Sequence, residues 1–141
     1  MKHPAKTLRS IAALREAGFA READPAALAE VAARYAIAVT PEMARLIDVA
    51  DASDPIARQF VPDVCELQQL PHERADPLSE ERLSPVPGVV HRYPDRALFL
   101  VSPVCTSYCR FCTRRRKVGD PSKIPLAQLE SAFQYLEEHT E

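Results

Sequence analysis

The sequence contains no long apolar run, no strong excess of either charge and only four cysteines. None of its hydrophobic stretches approaches the roughly 18 apolar residues of a membrane-spanning helix, and the start, Met1 to Lys6, lacks the apolar core of a signal peptide. A net charge of −2 over 141 residues gives no global reason to expect a nucleic acid or an anionic membrane as partner. The composition, 46% hydrophobic and 27% charged, predicts an ordinary cytoplasmic globular protein with a modest core.

Residues 1–70 carry repeated start signals for short helices. An N-cap residue followed by proline, which suits the first helical position, occurs at Asp24-Pro25, Thr40-Pro41 and Asp54-Pro55. Gly18 is a plausible end for an earlier helix. This segment is therefore predicted to be a helical amino-terminal region. The apolar residues expected on the inner faces of its helices include Leu8, Ile11, Leu14, Leu28, Val31, Tyr35, Met43, Leu46, Ile47 and Ala50.

A proline-rich connector and a short α/β segment make up the rest of the chain. Five prolines in residues 71–96 argue against regular secondary structure, while interspersed Val, Tyr and Arg argue for an ordered connector. The apolar run at residues 97–101 predicts a strand buried on both faces, and Pro125 is expected to open a helix. Residues 97–141 are therefore predicted to be the first βα unit of an α/β barrel or parallel sheet. Because no further strands follow, we expect an amino-terminal fragment of a longer protein.

Three of the four cysteines lie within eight residues, with three residues between Cys105 and Cys109 and two between Cys109 and Cys112. They follow the predicted strand, where ligands gather in α/β folds. Thiolates are natural ligands of iron–sulfur clusters, and three of them on a four-iron ([4Fe–4S]) cluster leave one iron open. A zinc site is one alternative, and it would need a fourth ligand from Cys65 or His91. A redox pair of Cys109 and Cys112 is another. The spacing favours the cluster.

Three blocks of sequence resemble the lysine 2,3-aminomutase family of radical S-adenosylmethionine (SAM) enzymes. They are residues 54–62, 84–88 and 91–116, the last of which contains the cysteine motif. The resemblance implies a partial (β/α) radical SAM barrel after the helical region, truncated in this chain. It also implies an isomerase that converts L-lysine to β-lysine with a [4Fe–4S] cluster, SAM and pyridoxal 5′-phosphate (PLP). In this family the cluster and SAM supply a 5′-deoxyadenosyl radical, while PLP carries the migrating amino group.

The resemblance also implies roles for four side chains outside the cysteine motif. Arg92 and Arg96 are expected in the PLP phosphate region, since guanidinium groups donate bidentately to phosphate. Arg114 is expected to bind the substrate carboxylate, and Phe111 to lie near the cluster or SAM. Solvated surface arginines and plain core packing of Phe111 are the alternatives. Phe111 and Lys117 depart from residues common in the family, which leaves glutamate or a protein-bound lysine open as substrate.

The expected partners are an amino acid substrate and a flavodoxin- or ferredoxin-type electron donor. The sequence leaves open whether identical chains assemble. A membrane or a nucleic acid is not expected as a partner. The family's glycine-rich SAM segment and PLP lysine do not occur before Glu141, so no catalytic residue is assigned and the fragment alone is expected to be inactive. The competing hypothesis is a small zinc or iron–sulfur module that binds nucleic acid through Arg110 and the basic residues 114–117.

Overall fold

The computed structural model describes residues 4–19, 24–119 and 127–140. Within these ranges the chain is mostly helical and has one small antiparallel hairpin. It divides into two compact units, residues 1–71 with 105–119 and residues 72–104 with 120–141. The elements are α1 (Ile11–Glu16), α2 (Pro25–Arg34), α3 (Pro41–Leu46), α4 (Pro55–Phe60), a 3-10 helix (Val64–Leu67), β1 (Val89–Tyr93), β2 (Arg96–Phe99) and α5 (Ala127–Glu138).

Side-chain caps begin the short helices of the first unit. The carboxylate of Asp24 and the hydroxyl of Thr40 each accept a hydrogen bond from a backbone N–H of the following turn, at 2.9 and 3.3 Å. Asp54 does the same for α4, at 2.6 Å from the N–H of Ala57. A proline follows each cap at the start of the helix. The three predicted helix starts are therefore confirmed. At each start the cap side chain accepts a backbone N–H of the first turn, and the proline has no N–H that needs a partner.

The core of the first unit is built around a short extended pairing as well as helices. The backbones of Leu8 and Val39 exchange hydrogen bonds at 2.9 and 3.0 Å. The spacing predicts Leu8 on a helix, which is wrong, because Ser10 caps α1 and leaves Leu8 outside it. The predicted apolar face of α3 is wrong at Leu46, which is 60% exposed at the end of the helix. One cluster of buried residues in this unit comprises Leu8, Leu14, Ile37, Val39, Ala44, Ile47 and Phe60.

In the second unit, an antiparallel hairpin replaces the predicted strand with two buried faces. The register of β1 and β2 sets Val89 opposite Phe99, across a turn at Pro94-Asp95. Exposure alternates along β2, where Leu98 is 37% exposed, and Val101 beyond the strand is 63% exposed. The apolar run is therefore at most half-buried on one face and exposed on the other, and its sheet neighbour is the segment just before it. The described residues show no parallel pairing and no barrel.

The hairpin also shows that the connector is more regular than its prolines predict. β1 lies within residues 71–96, for which the proline content argues against regular structure. Pro85 and Pro87 precede this strand and Pro94 follows it in the turn. None of the prolines therefore removes a hydrogen bond from the ladder. The expectation of no regular structure in this segment is therefore wrong at β1.

The predicted carboxyl-terminal helix is confirmed as α5, although Pro125 and Leu126 lie outside the described residues. Phe133 is 56% exposed and meets Phe99 edge to face, with ring centroids 5.2 Å apart. The hydroxyl of Tyr135 shares a 2.6 Å hydrogen bond with Nδ1 of His91. These contacts join α5 to the hairpin within the second unit. In the part of the chain that the structure describes, no helix has the length and apolar character to cross a membrane.

Candidate functional site

The three motif cysteines lie on one loop of the first unit, within residues 105–119. Cys105 is exposed, whereas Cys109 and Cys112 are half-buried, and all three are free thiols. Cys109 packs against the core cluster of the unit, and its neighbour Tyr108 is 7% exposed. The loop is therefore anchored at Cys109 and open to solvent at Cys105.

Hydrogen bonds order the carboxyl-terminal half of this loop. The backbone N–H of Cys112 donates to the carbonyl of Cys109 at 3.1 Å, and that of Arg115 donates to the carbonyl of Cys112 at 3.1 Å. The Cys112 sulfur also accepts the N–H of Arg114 at 3.4 Å, and the hydroxyl of Ser107 lies 3.8 Å from the sulfur of Cys109. Polar hydrogens near the sulfurs would stabilise thiolate charge and tune a bound iron–sulfur cluster.

The loop fits an iron–sulfur cluster by its donor chemistry. It offers three free thiols within eight residues, of which two have polar groups beside their sulfurs. The sulfurs are not gathered into a ligand set, since the described residues contain no group of three or more His, Cys, Asp or Glu that could hold a metal ion. The structure thus places the predicted ligands on one loop without assembling them around a common point.

The two residues considered as a fourth zinc ligand have other surroundings. Hydrogen bonding to Asp63 and the charge of its carboxylate raise the pKa of the Cys65 thiol, which disfavours the thiolate that a metal needs. His91 uses Nδ1 in its bond to Tyr135. The described residues therefore offer no assembled four-ligand zinc site. All four cysteines are free, so the Cys109–Cys112 disulfide is not formed.

An ion pair that the sequence did not predict joins the cysteine loop to the 3-10 helix. Arg110, between the second and third cysteines, is 5% exposed. Its Nε and Nη2 donate to the two carboxylate oxygens of Glu66 at 3.0 and 2.9 Å, and its Nη1 donates to the carbonyl of Ala36 at 2.9 Å. Its backbone N–H donates to the carbonyl of Gln59 at 2.7 Å. Arg110 therefore connects the loop to three separate segments of the helical region.

Arg115 forms a second connection to the same carboxylate. Its Nη1 donates to Glu66 at 3.2 Å and to the carbonyl of Arg110 at 3.0 Å. Its guanidinium carbon lies 4.1 Å from the ring centroid of Tyr35, a favourable cation–π distance. Arg115 therefore serves the packing of the loop. Together with the burial of Arg110, this weighs against a basic run free to bind nucleic acid.

Arg114 and Phe111, the other predicted site residues of the loop, have contrasting exposure. Arg114 is half-buried and binds the sulfur of Cys112 through its backbone. Phe111 is 77% exposed, so plain core packing does not describe it within the residues that the structure includes. A large aromatic ring on a loop surface is available for contact with a bound molecule.

Arg92 and Arg96 lie in the second unit, at the turn of the hairpin. Both are exposed, and their guanidinium carbons lie 5.9 and 5.0 Å from the ring centroid of Tyr93. Arg96 also contacts the carboxylate of Asp95 at 3.4 Å. A shallow cavity of about 60 Å³ is lined in part by His91 and Arg96. The hairpin thus brings the two predicted phosphate-region arginines around one aromatic ring.

A three-thiol loop with the spacing of Cys105, Cys109 and Cys112 is typical of radical SAM proteins, and comparison with known proteins gives the particular family. The chain is 43% identical over 101 residues to the L-lysine 2,3-aminomutase of Clostridium subterminale, a match of 71% of this chain and 24% of the relative. The L-lysine 2,3-aminomutase of Acetoanaerobium sticklandii is 45% identical over the same shares. The resemblance to the lysine 2,3-aminomutase family is therefore confirmed over this region.

The comparisons also define the extent of that relationship. The glutamate 2,3-aminomutase of Clostridioides difficile is 35% identical over 113 residues, which are 79% of this chain and 26% of the relative. The chain spans about a quarter of the length of the relatives that it matches. No protein-family model matches the chain. The relatives are aminomutases, which are isomerases, and the similarity covers part of each.

Proposed function

We propose that this chain supplies the cluster-binding loop of a radical SAM aminomutase, with Cys105, Cys109 and Cys112 as ligands of a [4Fe–4S] cluster. The supporting observation is the spacing of three free thiols on one loop of a chain 43% identical to an L-lysine 2,3-aminomutase over 101 residues. When bound, the cluster supplies the electron that cleaves SAM at the open iron. An electron donor of the flavodoxin or ferredoxin type would reduce the cluster.

The arginines extend this proposal to PLP and the substrate. Arg114 is proposed to bind the substrate carboxylate, since it follows the last cysteine closely and is half-buried. Arg92 and Arg96 are proposed to bind the PLP phosphate, because both are exposed cations at one hairpin turn. Phe111, which is 77% exposed, is proposed to contact SAM. Phe111 and Arg114 would lie in the incomplete (β/α) barrel that the family resemblance implies for residues 97–141.

L-lysine is the proposed substrate, with β-lysine as product. The identity to the two L-lysine 2,3-aminomutases is 43% and 45%, against 35% to the glutamate 2,3-aminomutase. Glutamate is the second candidate, favoured by that last match. Both substrates present an α-carboxylate to which an arginine such as Arg114 can donate two hydrogen bonds.

Anaerobic reconstitution of the chain with iron and sulfide tests the ligand assignment. We expect a brown iron–sulfur chromophore whose reduced electron paramagnetic resonance signal changes when SAM is added, because SAM would bind the open iron. Cys109→Ser should abolish the signal. Cys65→Ser is the matched control and should leave it unchanged, since Cys65 lies outside the motif on the 3-10 helix.

Two outcomes would contradict the ligand assignment. One is a Cys109→Ser variant that keeps the full iron content and signal of the parent chain. The other is a parent chain that binds zinc and no iron with sulfide, which elemental analysis would detect. Zinc would also revive the four-ligand alternative.

A further inference from the structure

We infer that Glu66 is a positioning residue for the cysteine loop, and this inference rests on the proposed function of that loop. Glu66 lies on the 3-10 helix, 44 residues before Arg110 and 49 before Arg115. Its carboxylate accepts hydrogen bonds from both arginines. One arginine precedes Cys112 and the other follows it, so a single carboxylate holds the loop on both sides of a proposed ligand.

The carboxylate is itself held in place by the helix that carries it. Its Oε1 accepts the backbone N–H of Asp63 at 3.1 Å, and the Asp63 side chain accepts the backbone N–H of Glu66 in return, which forms a capping box. The Asp63 carboxylate also accepts the N–H of Cys65 at 2.7 Å. The Glu66 side chain is 11% exposed. A largely covered carboxylate that is fixed by its own backbone is a rigid point of attachment, because it cannot follow a moving loop without breaking these bonds.

The attachment acts on the proposed ligands through short covalent paths. Arg110 follows Cys109 directly, so the two-oxygen contact to Glu66 fixes the backbone beside that sulfur. The backbone N–H of Arg115 donates to the carbonyl of Cys112 at 3.1 Å. Loss of the carboxylate would leave Arg110 as a buried charge without its acid, which strongly favours release of the loop. We therefore expect Glu66 to set how readily Cys109 and Cys112 leave their observed positions.

Thiol reactivity in the cluster-free chain tests this inference independently of any cluster. We expect Glu66→Gln to raise the alkylation rate of Cys109 and Cys112 by on the order of tenfold or more, because loop opening becomes easier. Mass spectrometry of digested protein would give the rate at each cysteine. Cys105, exposed in the parent chain, is the internal reference and should change little.

A matched variant separates the effect of this carboxylate from that of any ion pair. Glu42 also pairs with an arginine, Arg45, at 3.2 Å, but its side chain is 65% exposed. Glu42→Gln should leave all cysteine rates unchanged. Equal rates in Glu66→Gln and the parent chain, at Cys109 relative to Cys105, would overturn the inference.

Two further variants keep the test decisive. If circular dichroism shows that Glu66→Gln is unfolded, Arg115→Gln replaces it, because this variant keeps the buried pair and should raise the rate at Cys112 by a smaller factor. An Arg115→Gln chain that folds with unaltered rates then overturns the inference. The double variant Glu66→Gln/Arg110→Gln should open the loop by less than the sum of the two single variants, since both substitutions break the same ion pair. Additive effects of the two substitutions would contradict this route.

The loaded chain gives a second readout. If the parent chain binds iron and sulfide, Glu66→Gln should lose iron to a chelator about tenfold faster, because ligand release follows loop opening. A chelation rate equal to that of the parent would overturn the effect on the cluster. A parent chain that binds no iron would contradict the proposed function, while the alkylation rates would still decide whether Glu66 holds the loop.

Discussion

Gly119 lies at the carboxyl-terminal end of the cysteine loop, packed closely against Ala36 and Tyr108. Its φ of +87° is in the left-handed region, and an added Cβ would lie 2.5 Å from Cβ of Ala36 and 2.9 Å from a ring carbon of Tyr108. Gly119→Ala should therefore combine backbone strain with overpacking and reduce the free energy of unfolding by about 3 kcal/mol. Urea unfolding followed by circular dichroism measures this change.

Gly88→Ala is the control for the backbone contribution alone. Its φ is +84°, but the nearest atom to an added Cβ is the carbonyl oxygen of Leu100 at an ordinary 3.7 Å. We expect a loss of about 1 kcal/mol from strain without a clash. Equal losses at Gly88 and Gly119 would contradict the packing argument.

The sequence shows where the arginines of the cysteine loop stand, but it does not show which acid each of them pairs with. Arg110 and Arg114 are four residues apart in the sequence, yet Arg110 is 5% exposed and pairs with an acid 44 positions earlier. The Asp63-x-x-Glu66 pattern is a visible capping signal. The Glu66 carboxylate also accepts hydrogen bonds from two arginines. These bonds depend on long-range packing, which a local sequence pattern does not predict.

The helix starts are specified mainly by their N-cap residues. Asp54 is the buried one among the caps described above. It is 7% exposed and accepts hydrogen bonds from the backbone N–H groups of Ala57 and Asp48, at 2.6 and 3.3 Å. Asp54→Ala should lower the free energy of unfolding by about 2 kcal/mol, because two backbone donors lose their acceptor. Thermal or urea unfolding monitored by circular dichroism gives the value.

Two variants bracket the contribution of this cap. Asp54→Asn retains a side-chain oxygen for capping and should cost about 0.5 kcal/mol. Asp24→Ala removes an exposed cap with a hydrogen bond to Ala26 and should cost about 1 kcal/mol. If Asp54→Ala lowers the free energy of unfolding no more than Asp24→Ala does, burial does not strengthen the Asp54 cap and the argument is wrong.

For the whole chain, local signals predicted helices well and long-range pairing poorly. The N-cap and proline signals at Asp24, Thr40 and Asp54 each begin a helix, since capping depends on neighbours in sequence. The apolar run after Arg96 predicted a strand, which exists, but its antiparallel partner and half-exposed faces did not follow from the run. Sequence also predicted three cysteines on one loop, whereas the half-burial of Cys109 and Cys112 and the contacts of the loop with Glu66 required the fold.

The exposed apolar residues of the second unit predict that the surface of the chain binds apolar dyes. Leu98, Val101 and Val104, within one segment of the second unit, are 37%, 63% and 69% exposed. Neighbouring apolar groups of this kind bind apolar dyes, so we expect the chain to enhance the fluorescence of anilinonaphthalene sulfonate at neutral pH. Val101→Ser/Val104→Ser should reduce that enhancement by about half, because it removes the two most exposed of these side chains. Leu46→Ser, at a 60% exposed position on α3, is the control and should change it little, since single exposed apolar residues are common on protein surfaces. Equal loss in both variants would show that dye binding does not depend on this segment.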